Sequence, residues 1–305
     1  MSDVQAVQVV DVCANCGEES SDDIKLKNCA ACRLVKYCSA DCQMTHRKQH
    51  KEVCKKRAAE LKDERLYGLG HERPEGDFCP ICTMAIPLPM NEHSGDRVCC
   101  MKRVCNGCQM AAIKRGIVDC PYCRTPYHEE DNAKALAQVQ KRVDAKDSEA
   151  VDFLASNYYC GTYGLEKDVP RAIELWTEAA ELGCNDARYK LSCMFSHGNG
   201  VPQDKTKAAR YLELAAMQGH VESRHNLGYH ETEKGNYERA VRHFLISTKM
   251  GEKESLDTIK DMFVKGVATK QQYAEALKGY QIAIEEMKSP ERDEAKPFFE
   301  RQHSA

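Results

Sequence analysis

The residues best suited to chemistry are cysteines arranged in pairs. Of the 18 cysteines, 15 lie between Cys13 and Cys123, and five pairs have the spacing C-x2-C. This spacing lets two thiolates meet one tetrahedral ion, and zinc is the usual metal of such closed sites. Disulfides are the alternative in secreted proteins. The opening residues, MSDVQAVQVVDV, lack the basic and apolar regions of a signal peptide, so we expect reduced, zinc-binding cysteines in the cytoplasm or nucleus.

The first predicted domain, residues 1–57, contains eight candidate ligands: Cys13, Cys16, Cys29, Cys32, Cys38, Cys42, His50 and Cys54. Eight soft ligands fit two closed tetrahedral sites, with no open position for a catalytic water. Cys38 and Cys42 are four residues apart, as are His50 and Cys54, so each pair would face one way on a helix. So small a domain has little apolar core, and zinc would contribute on the order of 10 kcal/mol or more per site to folding.

The motifs CANC, CAAC, KYCSADCQ and HKEVC resemble the MYND zinc finger. This resemblance implies two interleaved ligand sets: Cys13, Cys16, Cys38 and Cys42 for one zinc, and Cys29, Cys32, His50 and Cys54 for the other. Arg47 stands where the family usually has a tryptophan. His46 is a conceivable competing ligand, although an exposed helical histidine is the commoner case. MYND fingers typically bind short proline-containing peptides, so we expect a peptide motif as a partner.

After a predicted linker at 58–78, a second cysteine-rich domain covers residues 79–126. Its candidate ligands are Cys79, Cys82, Cys99, Cys100, Cys105, Cys108, Cys120 and Cys123. The order of the pairs resembles a RING finger, which implies one zinc on Cys79, Cys82, Cys105 and Cys108. The second zinc would take Cys100, Cys120 and Cys123, but Lys102 occupies the usual histidine position and an ammonium cannot ligate zinc. The fourth ligand is Cys99, His93 or water, or the second zinc is absent, which gives three or four zinc ions in total.

Three further residues of this domain match positions by which RING fingers contact a ubiquitin-conjugating enzyme. Ile81 lies between the first two cysteines, Pro121 lies within CPYC, and Arg124 follows the last cysteine. A RING finger performs no chemistry itself and accelerates ubiquitin transfer by orienting the charged enzyme. The alternative reading is that Ile81 packs, Pro121 rigidifies the loop and Arg124 is solvated.

Alignment of the chain with itself reveals repeats over residues 147–287. The segments AIELWTEAAELG, AARYLELAAMQG and AVRHFLISTKMG superimpose and end at Gly183, Gly219 and Gly251, which predicts helix–turn–helix units with a glycine after each second helix. This resembles the Sel1 repeat, a relative of the tetratricopeptide repeat, with three clear units and a polar cap. Such stacks present a concave face to proteins or peptides. A helical connector at 127–146 would precede them, and a disordered tail at 288–305 would follow.

The predicted fold class is therefore multidomain: two small zinc-stapled α+β modules followed by an all-α solenoid. The net charge of −3 argues against a globally basic nucleic-acid binder, and no apolar run is long enough to span a membrane. No catalytic residue is predicted, because the sequence contains no nucleophile–base arrangement or phosphate-binding loop. Two functions remain open: a zinc-binding protein-interaction adaptor, and a RING-type ubiquitin ligase whose repeats or MYND finger select substrates.

Overall fold

The computed structural model describes residues 11–126 and 131–303, which form two compact units that divide after Gly68. Three parts of the predicted domains lie outside the described residues: positions 1–10 of the first domain, 127–130 of the connector and 304–305 of the tail. The predicted fold class is confirmed, with small cysteine-rich modules that contain few strands and an all-helical repeat region.

The first unit has a two-stranded antiparallel sheet and one long helix. Strand β1 (Lys27–Asn28) pairs with β2 (Lys36–Tyr37), and helix α1 follows over Ala40–Gly68. The buried residues beside the sheet are Tyr37 and cysteines rather than aliphatic side chains. Helix α1 also extends well into the stretch predicted to be a linker. This unit therefore has almost no conventional apolar core, as expected for a zinc-dependent domain.

The second compact unit begins at Leu69 and contains residues 79–126, which we call the RING-like unit. A 3₁₀ turn (Glu75–Asp77) precedes it, and α2 (Met90–His93), β3 (Ser94–Arg97), β4 (Lys102–Cys105) and α3 (Asn106–Lys114) follow. Strands β3 and β4 form an antiparallel hairpin. Ile86 and Val104 are fully buried between its cysteines.

Helix α4 (Asn132–Asp144) forms the described part of the connector. The repeat region, described throughout residues 147–287, then contains eight helices: α5 (Ser148–Cys160), α6 (Val169–Glu181), α7 (Asn185–His197), α8 (Lys205–Ala216), α9 (Val221–Glu233), α10 (Tyr237–Lys249), α11 (Lys253–Val264) and α12 (Lys270–Glu286). The side chains of Asp147, Asp168 and Asp204 cap the N-termini of α5, α6 and α8. The terminal glycines of the three units have φ of 105°, 84° and 98°, as their position after a helix predicts.

The segment after residue 288 differs from the expected disordered tail. Residues Pro290–His303 form helix α13, which packs against α3 of the RING-like unit. Ala295 is fully buried and Phe299 is 9% exposed. The sequence of this segment is highly charged and does not predict burial. Its apolar residues become buried because α13 packs against a domain that is distant in the sequence.

Buried arginines connect the RING-like unit with the repeats. Arg73 forms an ion pair with Asp77 at 2.9 Å and donates to the carbonyl oxygen of Ile86 at 2.6 Å. Arg224 of α9 is fully buried, and its Nη2 donates to the carbonyl oxygens of Leu69 (2.6 Å) and Ala216 (2.8 Å). Arg73 also donates to the Sδ atom of Met287, after the last repeat helix, at 3.5 Å. The two arginines therefore join the segment before the RING-like unit both to that unit and to the repeats.

Within the described residues, no helix combines the length and apolar character that crossing a membrane requires.

Packing between α9 and α10 predicts a strict size limit at Gly228. A Cβ atom there would lie 2.5 Å from an atom of the Phe244 ring, which is fully buried. Gly228→Ala is expected to lower the free energy of unfolding by about 1–3 kcal/mol because the ring has no room to move. Chemical denaturation followed by circular dichroism measures the change.

The double variant Gly228→Ala/Phe244→Leu is the control. If the clash is the cause, the double variant loses less stability than the two single variants added together. Strict additivity would contradict this account of the α9–α10 contact.

Candidate zinc centres and interaction cavities

Four groups of four metal-ligating side chains occur in the described residues, and in each group the ligand atoms lie within 4.8 Å of one another. They are group 1 (Cys13, Cys16, Cys38, Cys42), group 2 (Cys29, Cys32, His50, Cys54), group 3 (Cys79, Cys82, Cys105, Cys108) and group 4 (Cys99, Cys100, Cys120, Cys123). All sixteen predicted candidate ligands are thereby placed in a group.

The sheet and α1 bring groups 1 and 2 together in the interleaved order. In group 1, the Sγ atom of Cys38 lies 3.6 Å from that of Cys16 and 3.5 Å from that of Cys42. In group 2, the Nε2 atom of His50 lies 3.2 Å from the Sγ atom of Cys32. The first turn of α1 supplies Cys42, and its later turns supply His50 and Cys54.

Among the described residues His46 belongs to neither group, and its Nδ1 atom lies 3.1 Å from the hydroxyl of Tyr37. Its ring stacks on the ring of His50 at an interplanar angle of 14°. His46 and Tyr37 therefore fix the orientation of the ligand ring, a role that residues behind a metal ligand commonly have.

The thiols within a group hinder each other's ionisation. In group 1, backbone N–H donors, above all that of Cys16, lower the pKa of Cys13 to about 6. Side-chain hydrogen bonds with neighbouring thiols, first that of Cys42, raise the pKa of Cys38 to about 12. The pKa of Cys13 is thus lowered while those of Cys16 and Cys38 are raised, which is the behaviour of crowded anions that share one site.

Group 3 lies where the Cys79 loop, the end of β4 and the start of α3 meet. The Sγ atoms of Cys82 and Cys105 are 3.8 Å apart, and the thiol of Cys105 accepts a hydrogen bond from the backbone N–H of Cys108. Hydrogen bonds with Cys105 and Cys108 lower the pKa of Cys79, whereas hydrogen bonds with Cys105 and Cys79 raise the pKa of Cys108.

Group 4 contains both adjacent cysteines. The Sγ atom of Cys99 lies 3.4 Å from that of Cys123, and the Sγ atom of Cys100 lies 4.0 Å from that of Cys120. The chain turns tightly here, since the backbone N–H groups of Cys100 and Met101 both donate to the carbonyl oxygen of Arg97. Burial raises the pKa of Cys100 to about 11.

Among the described residues, His93 belongs to none of the four groups and lines a separate cavity beside α13. Lys102 is exposed on β4. Of the alternatives left open by the sequence, the geometry therefore favours Cys99 as the fourth member of group 4.

The donor sets fit zinc. Three groups offer four sulfur atoms, and group 2 offers three sulfur atoms and one imidazole nitrogen, which are the sets found in structural tetrahedral zinc sites. Each group could hold one zinc ion, and bound zinc would supply the positive charge that lets all four ligands stay deprotonated.

Ile81, Pro121 and Arg124 line one cavity of about 300 Å³, called the recruiting cavity below. Ile81 is 42% exposed, and the backbone N–H of Arg124 donates to the carbonyl oxygen of Cys120 at 2.9 Å. Sequence reasoning missed the remaining wall, which α3 and the start of α13 provide through Arg115, Ser289 and Arg292. The small buried residue Ala295 and the pair Phe298–Phe299 were the available signals for that helix.

A second opening, the repeat cavity, lies between α7, α8 and α9 and has a volume of about 380 Å³. Leu212, Asn226, Tyr229 and Glu233 are among its lining residues. Tyr229 is 46% exposed, so an aromatic face and polar groups are both available to a bound chain.

Comparison with known proteins supports two of the three resemblances noted in the sequence. Residues 13–54 match the MYND finger, and residues 148–184, 185–220 and 221–252 match the Sel1 repeat. The predicted recognition of these two modules is confirmed.

Individual relatives are distant. DAP3-binding cell death enhancer 1 of Mus musculus is 22% identical over 213 residues, which covers 56% of this chain and 42% of that protein. A Sel1 repeat protein from Oxalobacter formigenes is 22% identical with a TM-score of 0.44, covering 50% of this chain and 64% of the other. The protective antigen c5321 of uropathogenic Escherichia coli is 20% identical with a TM-score of 0.44, and the match covers 58% of this chain and 37% of that protein. This chain thus spans less than two thirds of each of these proteins.

The geometry of group 4 predicts the effect of Cys99→Ser on zinc content. The wild-type protein is expected to hold four zinc ions, and the variant to lose one or to release it much faster, because a neutral hydroxyl replaces a thiolate. Native mass spectrometry counts the ions, and His93→Ala is the control that should keep four. Loss of zinc from His93→Ala with retention in Cys99→Ser would reverse the assignment.

Proposed function

We propose that this chain is a zinc-containing protein-interaction adaptor. The observation that carries the proposal is the combination of two kinds of interaction module, a MYND finger and three Sel1 repeats, with metal groups that offer no open position for chemistry. In this proposal the sixteen grouped residues ligate zinc and stabilise the modules. The MYND finger binds one peptide motif, and the repeats bind a second protein or peptide.

The repeat cavity supports a peptide as the second partner. It is open to solvent, lies between three consecutive helices, and combines the exposed ring of Tyr229 with the amide of Asn226. A bound peptide would bury the ring of Tyr229, and hydrogen bonds to the amide of Asn226 would fix the direction of the peptide. Buried aromatic contacts and surrounding hydrogen bonds commonly have these roles at interfaces.

Peptide selection tests this role with the full-length protein. A displayed peptide library is expected to yield binders that lose at least about tenfold in affinity on Tyr229→Ala, since buried aromatic contacts dominate such interfaces. Asn226→Arg, which places a long cation in the cavity, should have a similar effect. Titration calorimetry gives the affinities, and circular dichroism shows that each variant is folded.

Tyr237→Ala is the matched control, because Tyr237 is also 46% exposed but does not line the repeat cavity. Selection of no peptide, or binders that tolerate the cavity variants and Tyr237→Ala equally, would argue against the repeat cavity as the binding site.

The recruiting cavity favours a second candidate function, a RING-type ubiquitin ligase. In that case Ile81, Pro121 and Arg124 contact a ubiquitin-conjugating enzyme. The support is that Ile81 lines the same cavity as Pro121 and Arg124, which follow it by 40 residues or more, and that Ile81 and Arg124 are exposed. Catalysis would consist of holding the ubiquitin thioester in a reactive orientation.

Ubiquitin discharge from a panel of charged conjugating enzymes separates the two functions. A ligase accelerates discharge with at least one enzyme, and Ile81→Ala and Arg124→Ala each reduce that acceleration by about tenfold or more, as loss of orienting contacts does. Gel electrophoresis of the thioester under non-reducing conditions measures the rate.

Two matched controls accompany these variants. Ile113 is 49% exposed but lies outside the recruiting cavity, so Ile113→Ala should leave discharge unchanged. Arg33 also follows a cysteine pair with left-handed backbone geometry (φ 57° against 63° for Arg124), so Arg33→Ala tests the residue type at an equivalent position. If the wild-type protein accelerates discharge from none of the enzymes, the ligase function is excluded for that panel and the adaptor function stands.

A further inference from the structure

Helix α13 approaches the RING-like unit closely at group 3. Gly107 lies between the group 3 residues Cys105 and Cys108, and a Cβ atom there would lie 2.9 Å from the backbone nitrogen of Arg292 and 3.0 Å from the carbonyl carbon of Glu291. The backbone of α13 therefore rests directly on the turn that carries two candidate ligands. Lys114 of α3 and Glu294 of α13 form an ion pair in the same contact.

Arg292 extends from this contact to the other half of group 3. Its Nη2 atom lies 3.4 Å from the Sγ atom of Cys82 and donates to the carbonyl oxygen of Met84 at 3.1 Å. Its Nη1 atom donates to the carbonyl oxygens of Ala85 and, at 2.8 Å, of Met287. One guanidinium thus joins the Cys79–Ile86 loop to the end of the repeat region.

The contact between Arg292 and group 3 is electrostatic as well as steric, because the four thiolates of the group carry negative charge. Four thiolates around Zn²⁺ leave a net charge of −2 in the simple sum of formal charges, and burying that charge is costly without a nearby cation. A charge-assisted N–H···S hydrogen bond stabilises a thiolate and fixes its direction. Residues that contact metal ligands in this way typically change metal affinity by about 10–100-fold.

We propose that Arg292 of the C-terminal helix is a positioning residue for zinc in group 3, where its guanidinium stabilises the Cys82 thiolate and holds the loop that carries it. Zinc retention in the RING-like unit then depends on a side chain more than 160 residues beyond its last cysteine. The proposal rests on zinc occupancy of group 3, but it does not depend on which partner the protein binds or on whether it is a ligase.

Zinc release from the full-length protein tests the proposal directly. With a chromogenic chelator in excess, Arg292→Met is expected to speed the release of one zinc ion by about tenfold or more and to leave the other three unchanged. Arg292→Lys keeps the charge and should release that ion at a rate between those of the wild-type protein and Arg292→Met. Arg301→Met is the control, because Arg301 is exposed on the same helix and, within the described part of the chain, its hydrogen bond is to the carbonyl oxygen of Pro297 on that helix.

Cadmium-113 substitution identifies the group concerned and separates charge stabilisation from simple packing. The nuclear resonance of the ion in group 3 should shift in Arg292→Met, because loss of the N–H···S bond changes electron donation by Cys82, while the other resonances stay in place. Gly107→Ala, which displaces α13 without removing any charge, should shift the same resonance in a folded protein.

Three outcomes would overturn the proposal. One is release of all zinc ions at the wild-type rate in both Arg292 variants. Another is equally fast release in Arg292→Met and Arg292→Lys with unshifted cadmium resonances, which would mean a packing role only. If Arg292→Met does not fold, wild-type release and resonances in Arg292→Lys would overturn it as well. Absence of zinc from group 3 in the wild type would remove the premise, and the zinc count distinguishes that case.

Discussion

The mutual repulsion of clustered thiolates is the constraint on which both cysteine-rich modules depend. Fifteen cysteines and one histidine are gathered into four groups whose ligand atoms are nearly in contact. The thiol pKa values diverge within group 1. Backbone N–H donors lower the pKa of Cys13 to about 6, and hydrogen bonds with the neighbouring thiols raise that of Cys38 to about 12. A divalent cation resolves this conflict, and with so small an apolar core its binding free energy is also folding free energy.

Buried guanidinium groups provide the second level of organisation. Arg224 and Arg292 donate to backbone carbonyl oxygens more than 150 residues away, and Arg73 donates to that of Ile86, so that together they join the segment before the RING-like unit, the repeats and α13. Arginine suits this role because its planar donors satisfy several carbonyls at once and its charge persists at any physiological pH. The RING-like unit and the repeats therefore form one compact structural unit and are not independent domains joined by a flexible linker.

The features that sequence reasoning could predict are those with a local signature. Cysteine spacing indicated closed metal sites, and the spacing of Gly183, Gly219 and Gly251 indicated the repeat unit, which the Sel1 matches confirm. The membership of Cys99 in group 4 was only one of several alternatives, since spacing alone cannot tell whether a tight turn lets two adjacent thiols approach one point. Helix α13 was missed because its residues are mostly charged, and its burial comes from contact with α3, nearly two hundred residues earlier.

The position of α13 also changes what the recruiting cavity can be. A RING-like surface made only of Ile81, Pro121 and Arg124 would be open to any conjugating enzyme of suitable shape. Here Ser289 and Arg292 form part of the same wall, so any partner of the proposed cavity would have to fit the cysteine-rich loops and α13 together. Because Arg292 simultaneously contacts Cys82, a partner that displaces α13 would also disturb group 3. If both proposals hold, the choice of partner and the retention of zinc in group 3 are linked through the side chain of Arg292.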